Sequence, residues 1–107
     1  MKNIADFTRK PELVEIILDD EAVIKEFDEP VVFYMKDYID VNTYFDFYRS
    51  QTDNSNELNI ILRKLILNKD GEPVIKEGET LPITLAVNAL AKINETLGKS
   101  RTKPSAN

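Results

Sequence analysis

The sequence of 107 residues contains no cysteine, no histidine and no tryptophan. Without cysteine it cannot form a disulfide, a thiol nucleophile or a thiolate metal site. Without histidine it lacks the commonest general base and the commonest metal ligand, which excludes serine-histidine and cysteine-histidine catalysis on this chain. We therefore predict a protein that is not an enzyme, with no catalytic residue, no metal site and no cofactor.

Long apolar runs are missing as well. No stretch approaches the roughly 20 residues that a membrane helix needs, and residues 1–10 contain no apolar segment suited to a secretory signal. These two observations predict a soluble chain in a cytosolic compartment, without a membrane partner.

Positive charge is scarce between residues 12 and 40, and the formal net charge is −5. Residues 12–40 hold ten acids against Lys25 and Lys36, whereas residues 99–107 hold three bases and no acid. An acidic body argues against nucleic-acid binding, because neutralising phosphates supplies most of that affinity. Such a body can also mimic nucleic acid, although a solvated surface is the simpler interpretation.

The length predicts one domain, and the apolar periodicity predicts an α+β fold that is mostly helical. About four helices are expected, with a small two- or three-stranded element near the N-terminus. The direction of strand pairing stays open, because about twelve residues separate Leu18 from Val31 and a parallel crossover needs at least that many. We predict an irregular lead-in at 1–11, a globular domain at 12–98 and a mobile basic tail at 99–107. The expected strands are 12–18 and 31–35, and the expected helices are 20–27, 41–50, 57–68 and 82–97.

Helix starts and stops are predicted from single residues. Helix-capping side chains are expected at Asp19 or Asp20, at Asp40, and at Ser55 or Asn56. A left-handed cap is expected at Gly71, a first-turn proline at Pro82 and a helix end at Gly98. Neither the acids of 19–21 nor those of 68–72 have the spacing of a calcium loop, so a cap and a turn explain them better.

Aromatic residues are concentrated, with seven of the nine lying within residues 33–48. Most are expected in the core, and some are expected to form a partner-binding patch, since tyrosine is enriched at interface anchors. Val41, Tyr44, Phe45 and Tyr48 form one amphipathic stripe, and Phe47 lies off it. Ile60 and Leu67 lie off the main apolar stripe of the next helix. The candidate partner-binding residues are Tyr44, Phe45, Phe47, Tyr48, Ile60 and Leu67.

The order of these features resembles the small tail assembly chaperones of long-tailed bacteriophages. The matching features are the acidic strand and helix of 15–27, the apolar segment 29–37, Asp70-Gly71-Glu72-Pro73-Val74, Leu81-Pro82 and Leu97-Gly98-Lys99. The resemblance covers roughly residues 12–99. It depends on the order and spacing of strands, turns, helix starts and helix ends, and it involves no catalytic residues.

The resemblance implies a non-enzymatic protein of the infected host's cytoplasm. Such chaperones coat the apolar tape-measure protein until tail-tube subunits polymerise around it, and they tend to self-associate. The expected partners are therefore the tape-measure protein, the tail-tube protein and further copies of this chain. Two other functions stay open: an acidic inhibitor or decoy of a host nucleic-acid enzyme, and a structural tail or baseplate subunit.

Overall fold

A computed structural model describes residues 1–8, 10–52 and 55–101. Within these residues it confirms the α+β class, mostly helical, with four α-helices and one two-stranded sheet near the N-terminus. The predicted irregular lead-in contains one turn of 3₁₀ helix at Ile4–Phe7. The elements that follow are β1 (Leu13–Leu18), α1 (Glu21–Phe27), β2 (Val31–Lys36), α2 (Val41–Thr52), α3 (Ser55–Leu65) and α4 (Ile83–Arg101).

The two strands pair antiparallel, in a register that runs from Leu13 opposite Lys36 to Leu18 opposite Val31. This settles the pairing direction that the sequence left open. Side chains alternate between the two faces of the sheet. Ile16, Leu18, Phe33 and Met35 lie on the buried inner face, whereas Ile17 and Val32 on the outer face remain about half exposed. The apolar run of β2 is therefore covered on one face only.

Leu67 extends the sheet beyond β2, and Pro73 in turn forms a bridge with Leu67. The backbone N–H of Leu67 donates to the carbonyl of Tyr34 (2.8 Å), and its carbonyl accepts from the Tyr34 N–H (2.9 Å). The prediction that the third helix continues to residue 68 is wrong. Helix α3 ends at Leu65, because Leu67 pairs with Tyr34 of β2 instead of continuing the helix. Gly71 then has the predicted left-handed conformation (φ +84°), in a turn whose Asn68 side chain accepts from the N–H groups of Asp70 and Glu72.

The ends of the other helices agree only partly with the sequence predictions. Asp20 precedes α1 as predicted, but its side chain makes no capping hydrogen bond. Pro82 directly precedes α4, and its carbonyl accepts the N–H of Ala86 (2.9 Å). The predicted helix end at Gly98 is wrong, because α4 continues to Arg101. Residues 99–101 of the predicted mobile tail are thus helical, and residues 102–107 lie outside the described residues, as do the side chains of Ser55 and Asn56.

One apolar core joins the inner face of the sheet to the helices. Its most deeply buried members are Val23 from α1, Met35 from β2 and Ile93 from α4, each with no exposed surface. Helix α3 contributes Ile61, Leu62 and Leu65, and α4 adds Ala89 and Leu97. Helix α4 packs against both β1 and α1, so the longest helix closes the core.

Candidate partner-binding surface

Helix α2 carries most of the candidate residues, and Asp40 determines where it begins. A carboxylate oxygen of Asp40 accepts the N–H of Thr43 (3.0 Å), and the Asp40 carbonyl accepts the N–H of Tyr44 (2.9 Å). This is the helix cap that the sequence predicts. Hydrogen bonds from the hydroxyl and the backbone N–H of Thr43 lower the pKa of Asp40, and the positive charge of Lys64 adds to this effect.

The face of α2 that enters the core contains Phe47 and Ser50. Phe47 is 2 % exposed and Ser50 is 3 % exposed. The Ser50 hydroxyl donates to the carbonyl of Phe47 (2.8 Å), so this buried polar side chain is satisfied inside its own helix. The helix is also tied to α4, because the Asn94 side chain donates to the Gln51 side chain (2.9 Å).

The opposite face of α2 carries an apolar stripe that faces solvent. Its members, Val41, Phe45 and Tyr48, recur at i, i+4 and i+7 and are 67 %, 55 % and 59 % exposed. We call these three residues the α2 stripe. Tyr44, half-buried, supports it from one side, with its ring edge-to-face against Phe45 at 5.8 Å between centroids. The amphipathic period is therefore real, but this stripe is not the side of the helix that packs into the core.

Ile60 lies on the neighbouring helix and is 48 % exposed. It lines a shallow groove of about 190 Å³ between α2 and α3, together with Ile61, Lys64, Asp46 and Arg49. Arg49 and Asp46 form an ion pair along this edge of α2. Ile60 thus offers a second apolar contact beside α2, next to charged side chains.

The six candidate residues consequently divide into two groups. Phe47 and Leu67 belong to the buried core (2 % and 7 % exposed), so their selection as surface contacts is wrong. Phe47 is buried because it lies on the core face of α2, and Leu67 because its backbone is held against β2. Tyr44, Phe45, Tyr48 and Ile60 stay at or near the surface and keep their place as candidates.

Two exposed apolar residues of α4 were not among the candidates. Ile83 and Val87 are 75 % and 58 % exposed and lie four residues apart, which places them on one side of the helix. The sequence pattern did not separate them from the apolar residues of this helix, and only the burial of Ala89, Ile93 and Leu97 in the structure shows which side of α4 packs into the core. They provide an apolar surface that is similar in exposure to the α2 stripe but carries no aromatic ring.

Two further findings concern the described residues only. None of their helices is long and apolar enough to cross a bilayer, and no three of their acidic side chains converge in an arrangement that could hold a metal ion. Comparison of the chain with protein-family models, with curated proteins and with solved structures finds no match.

Proposed function

We propose that this chain is a non-enzymatic tail assembly chaperone that binds the tape-measure protein of a long-tailed phage in the host cytoplasm. The observation that supports this proposal is the α2 stripe, an aromatic and apolar surface on the outside of a helix that Phe47 anchors in the core. Spacing at i, i+4 and i+7 is the pattern by which one helix contacts the apolar face of another.

The size of the stripe indicates how such a protein would work. Full burial of an apolar side chain contributes about 1.5–3 kcal/mol, so three half-exposed ones contribute roughly 3–5 kcal/mol. Association costs about 4–15 kcal/mol in lost freedom, so one isolated copy binds weakly. A long client offers many repeats of the same apolar face, and copies that also contact one another bind it with a much higher effective concentration. This favours a coat of many copies, which includes the self-association that the sequence resemblance implies.

The acidic side chains suit the same role. Asp19, Asp20 and Glu21 before and within α1, and Asp28 and Glu29 after it, are all exposed. A coat of copies with this surface and a net charge of −5 each would make coated complexes repel one another. This repulsion would keep an apolar client in solution.

The proposal is tested by co-expression with the tape-measure polypeptide encoded in the same genome. We expect the native chain to move most of that polypeptide into the soluble fraction. The double substitution Phe45→Ser and Tyr48→Ser should abolish this effect, because it removes both rings of the α2 stripe without touching the core.

The matched control is Ile83→Ser with Val87→Ser, which removes an equally exposed apolar pair from α4. This variant should solubilise the client as the native chain does. A client that stays insoluble with the native chain, or equal loss in both double variants, would overturn the proposal, as would a genome with no tape-measure gene.

One observation favours a second candidate function, an acidic decoy of a host nucleic-acid enzyme. Residues 19–29 hold six exposed acids and a single base, Lys25. Binding of that kind would weaken steeply as salt is raised. It would also be indifferent to the two serine substitutions in the α2 stripe, so the same pair of variants separates the two functions.

A further inference from the structure

Strand β1 forms an open edge of the sheet. The N–H of Asp37 donates to the carbonyl of Glu12 (2.9 Å), which means that even-numbered residues of β1 direct their backbone groups toward β2. The backbone groups of Leu13, Glu15 and Ile17 therefore point away from β2. Among the residues that the structure describes, none of these backbone groups has a hydrogen-bond partner.

The other edge of the sheet differs from this one. There, Leu67 exchanges two backbone hydrogen bonds with Tyr34 in the middle of β2 and partly closes that edge. An added strand would have to displace this bridge on the β2 side. On the β1 side it would meet unused donors and acceptors at every second residue.

A groove runs along the open edge, between β1 and α4. It encloses about 480 Å³ and is lined by Glu15, Ile17 and Asp19 from the strand side and by Lys92, Glu95 and Thr96 from the helix. Of its charged side chains, three are acids and one is a base. A strand placed in this groove would be paired through its backbone on one side and flanked by α4 on the other.

The charge of the groove decides between two occupants. A second copy of β1 would bring its own Glu15 and Asp19 against the same two acids, and like charges placed across paired strands are destabilising. Carboxylates along an exposed edge are also a common means of preventing self-pairing. A segment with lysine or arginine at alternate positions would instead meet opposite charges.

We propose that β1 accepts an extended, basic segment of a partner protein as a third strand, seated between β1 and α4. The backbone groups of Leu13, Glu15 and Ile17 bind the segment, and the acids beside them select its charge. This surface includes no residue of the α2 stripe, so the inference stands independently of the chaperone proposal.

The probe is a seven-residue peptide of alternating lysine and valine, and the control peptide carries glutamate in place of lysine. Both are titrated into the full chain while backbone amides are followed by NMR and hydrogen exchange. We expect the lysine peptide to slow exchange of the Leu13, Glu15 and Ile17 amides by at least about tenfold, because each gains a hydrogen bond. The glutamate peptide should leave all three amides unchanged.

Two proline variants show whether the β1 edge itself is used. Ile17→Pro removes an outward N–H from β1, and Val32→Pro removes the outward N–H of the residue directly opposite on β2. We expect the dissociation constant of the lysine peptide to rise about tenfold or more in the first variant and to stay within about twofold in the second. Glu15→Lys leaves the backbone donors and acceptors of β1 in place and should weaken binding of the lysine peptide. This variant provides a test even if a proline variant does not fold.

Three results would overturn the proposal. One is absence of binding, or protection confined to amides outside β1. Another is equal binding of the two peptides. The third is a concentration-dependent dimer that protects the same three amides without peptide, which would show that a second copy is the occupant.

Discussion

At the scale of single residues, Gly98 shows how a stop signal can be present in the sequence without acting. It lies inside α4, which ends three residues later at Arg101. A Cβ at Gly98 would contact no atom within 4 Å apart from its chain neighbours and the backbone of its own helix. Glycine inside a helix is less favourable than alanine by about 0.5–1 kcal/mol, because it loses more backbone freedom on folding. The residue is thus tolerated in α4 at the expense of stability.

Replacing Gly98→Ala should therefore raise the free energy of unfolding by about 0.5–1 kcal/mol, measured by urea denaturation. The control is Gly71→Ala, which should lower stability because Gly71 has a left-handed backbone (φ +84°) that alanine adopts poorly. A destabilised Gly98→Ala variant would mean that α4 does not continue through this position in solution.

Asp40 makes the stability of the protein depend on pH in a defined direction. Its pKa is lowered from the ordinary 3.8 by the hydrogen bonds from Thr43, so the folded state favours the ionised form. Its contribution is complete at pH values above the unfolded-state pKa and is lost as pH falls through the folded-state pKa. Asp40→Ala should therefore lower the free energy of unfolding at pH 7. The difference in this free energy between the variant and the native chain should become smaller below about pH 4.

Urea denaturation of both chains at a series of pH values measures this difference, and carboxyl NMR titration reads the pKa of Asp40 directly. Thr43→Val is a useful companion, because it removes the hydroxyl donor and should move the pKa of Asp40 back toward its ordinary value. The prediction would be contradicted if the free energies of unfolding of the native chain and of Asp40→Ala differed by the same amount from pH 7 to pH 3.

At the scale of elements, α2 shows what periodicity can and cannot predict. The polar residue at Asp40 and the apolar spacing that follows predict the start of the helix correctly. They do not identify the buried face, because Phe47 on one side and the α2 stripe on the other are both apolar. Which face is buried depends on two residues. Ser50 can be buried because its hydroxyl forms a hydrogen bond within the helix, and Phe47 fits into the apolar core.

The bridge between Tyr34 and Leu67 leads to a prediction on the same scale. Amide hydrogen exchange should be slow at both residues, because each N–H is bonded to the other's carbonyl. Val32 and Lys36 have backbone groups on the same edge with no such partner among the described residues, so their amides should exchange much faster. NMR-detected exchange on the native chain measures all four, and uniform rates along β2 would exclude the bridge.

At the scale of the whole molecule, the sequence predicts local features well and long-range ones poorly. The positions of β1, α1 and β2 follow from short apolar runs between acids and Pro30, all of which can be read within a few residues. The antiparallel pairing, the early end of α3 and the open edge of β1 each depend on residues distant in sequence. For the candidate surface, the sequence finds Phe45, Tyr48 and Ile60 but cannot separate them from the buried Phe47 and Leu67.

The order of elements along the chain has a consequence for biosynthesis. The sheet is complete once β2 has emerged from the ribosome, but α4 begins 47 residues after Lys36 (83 minus 36), and its fully enclosed Ile93 follows 57 residues after Lys36 (93 minus 36). At translation rates of about 5–20 residues per second, the inner face of the sheet stays uncovered by Ile93 of α4 for roughly 3–11 s. A nascent chain that stalls in this interval would leave Ile16, Phe33 and Met35 uncovered by α4 and open to aggregation.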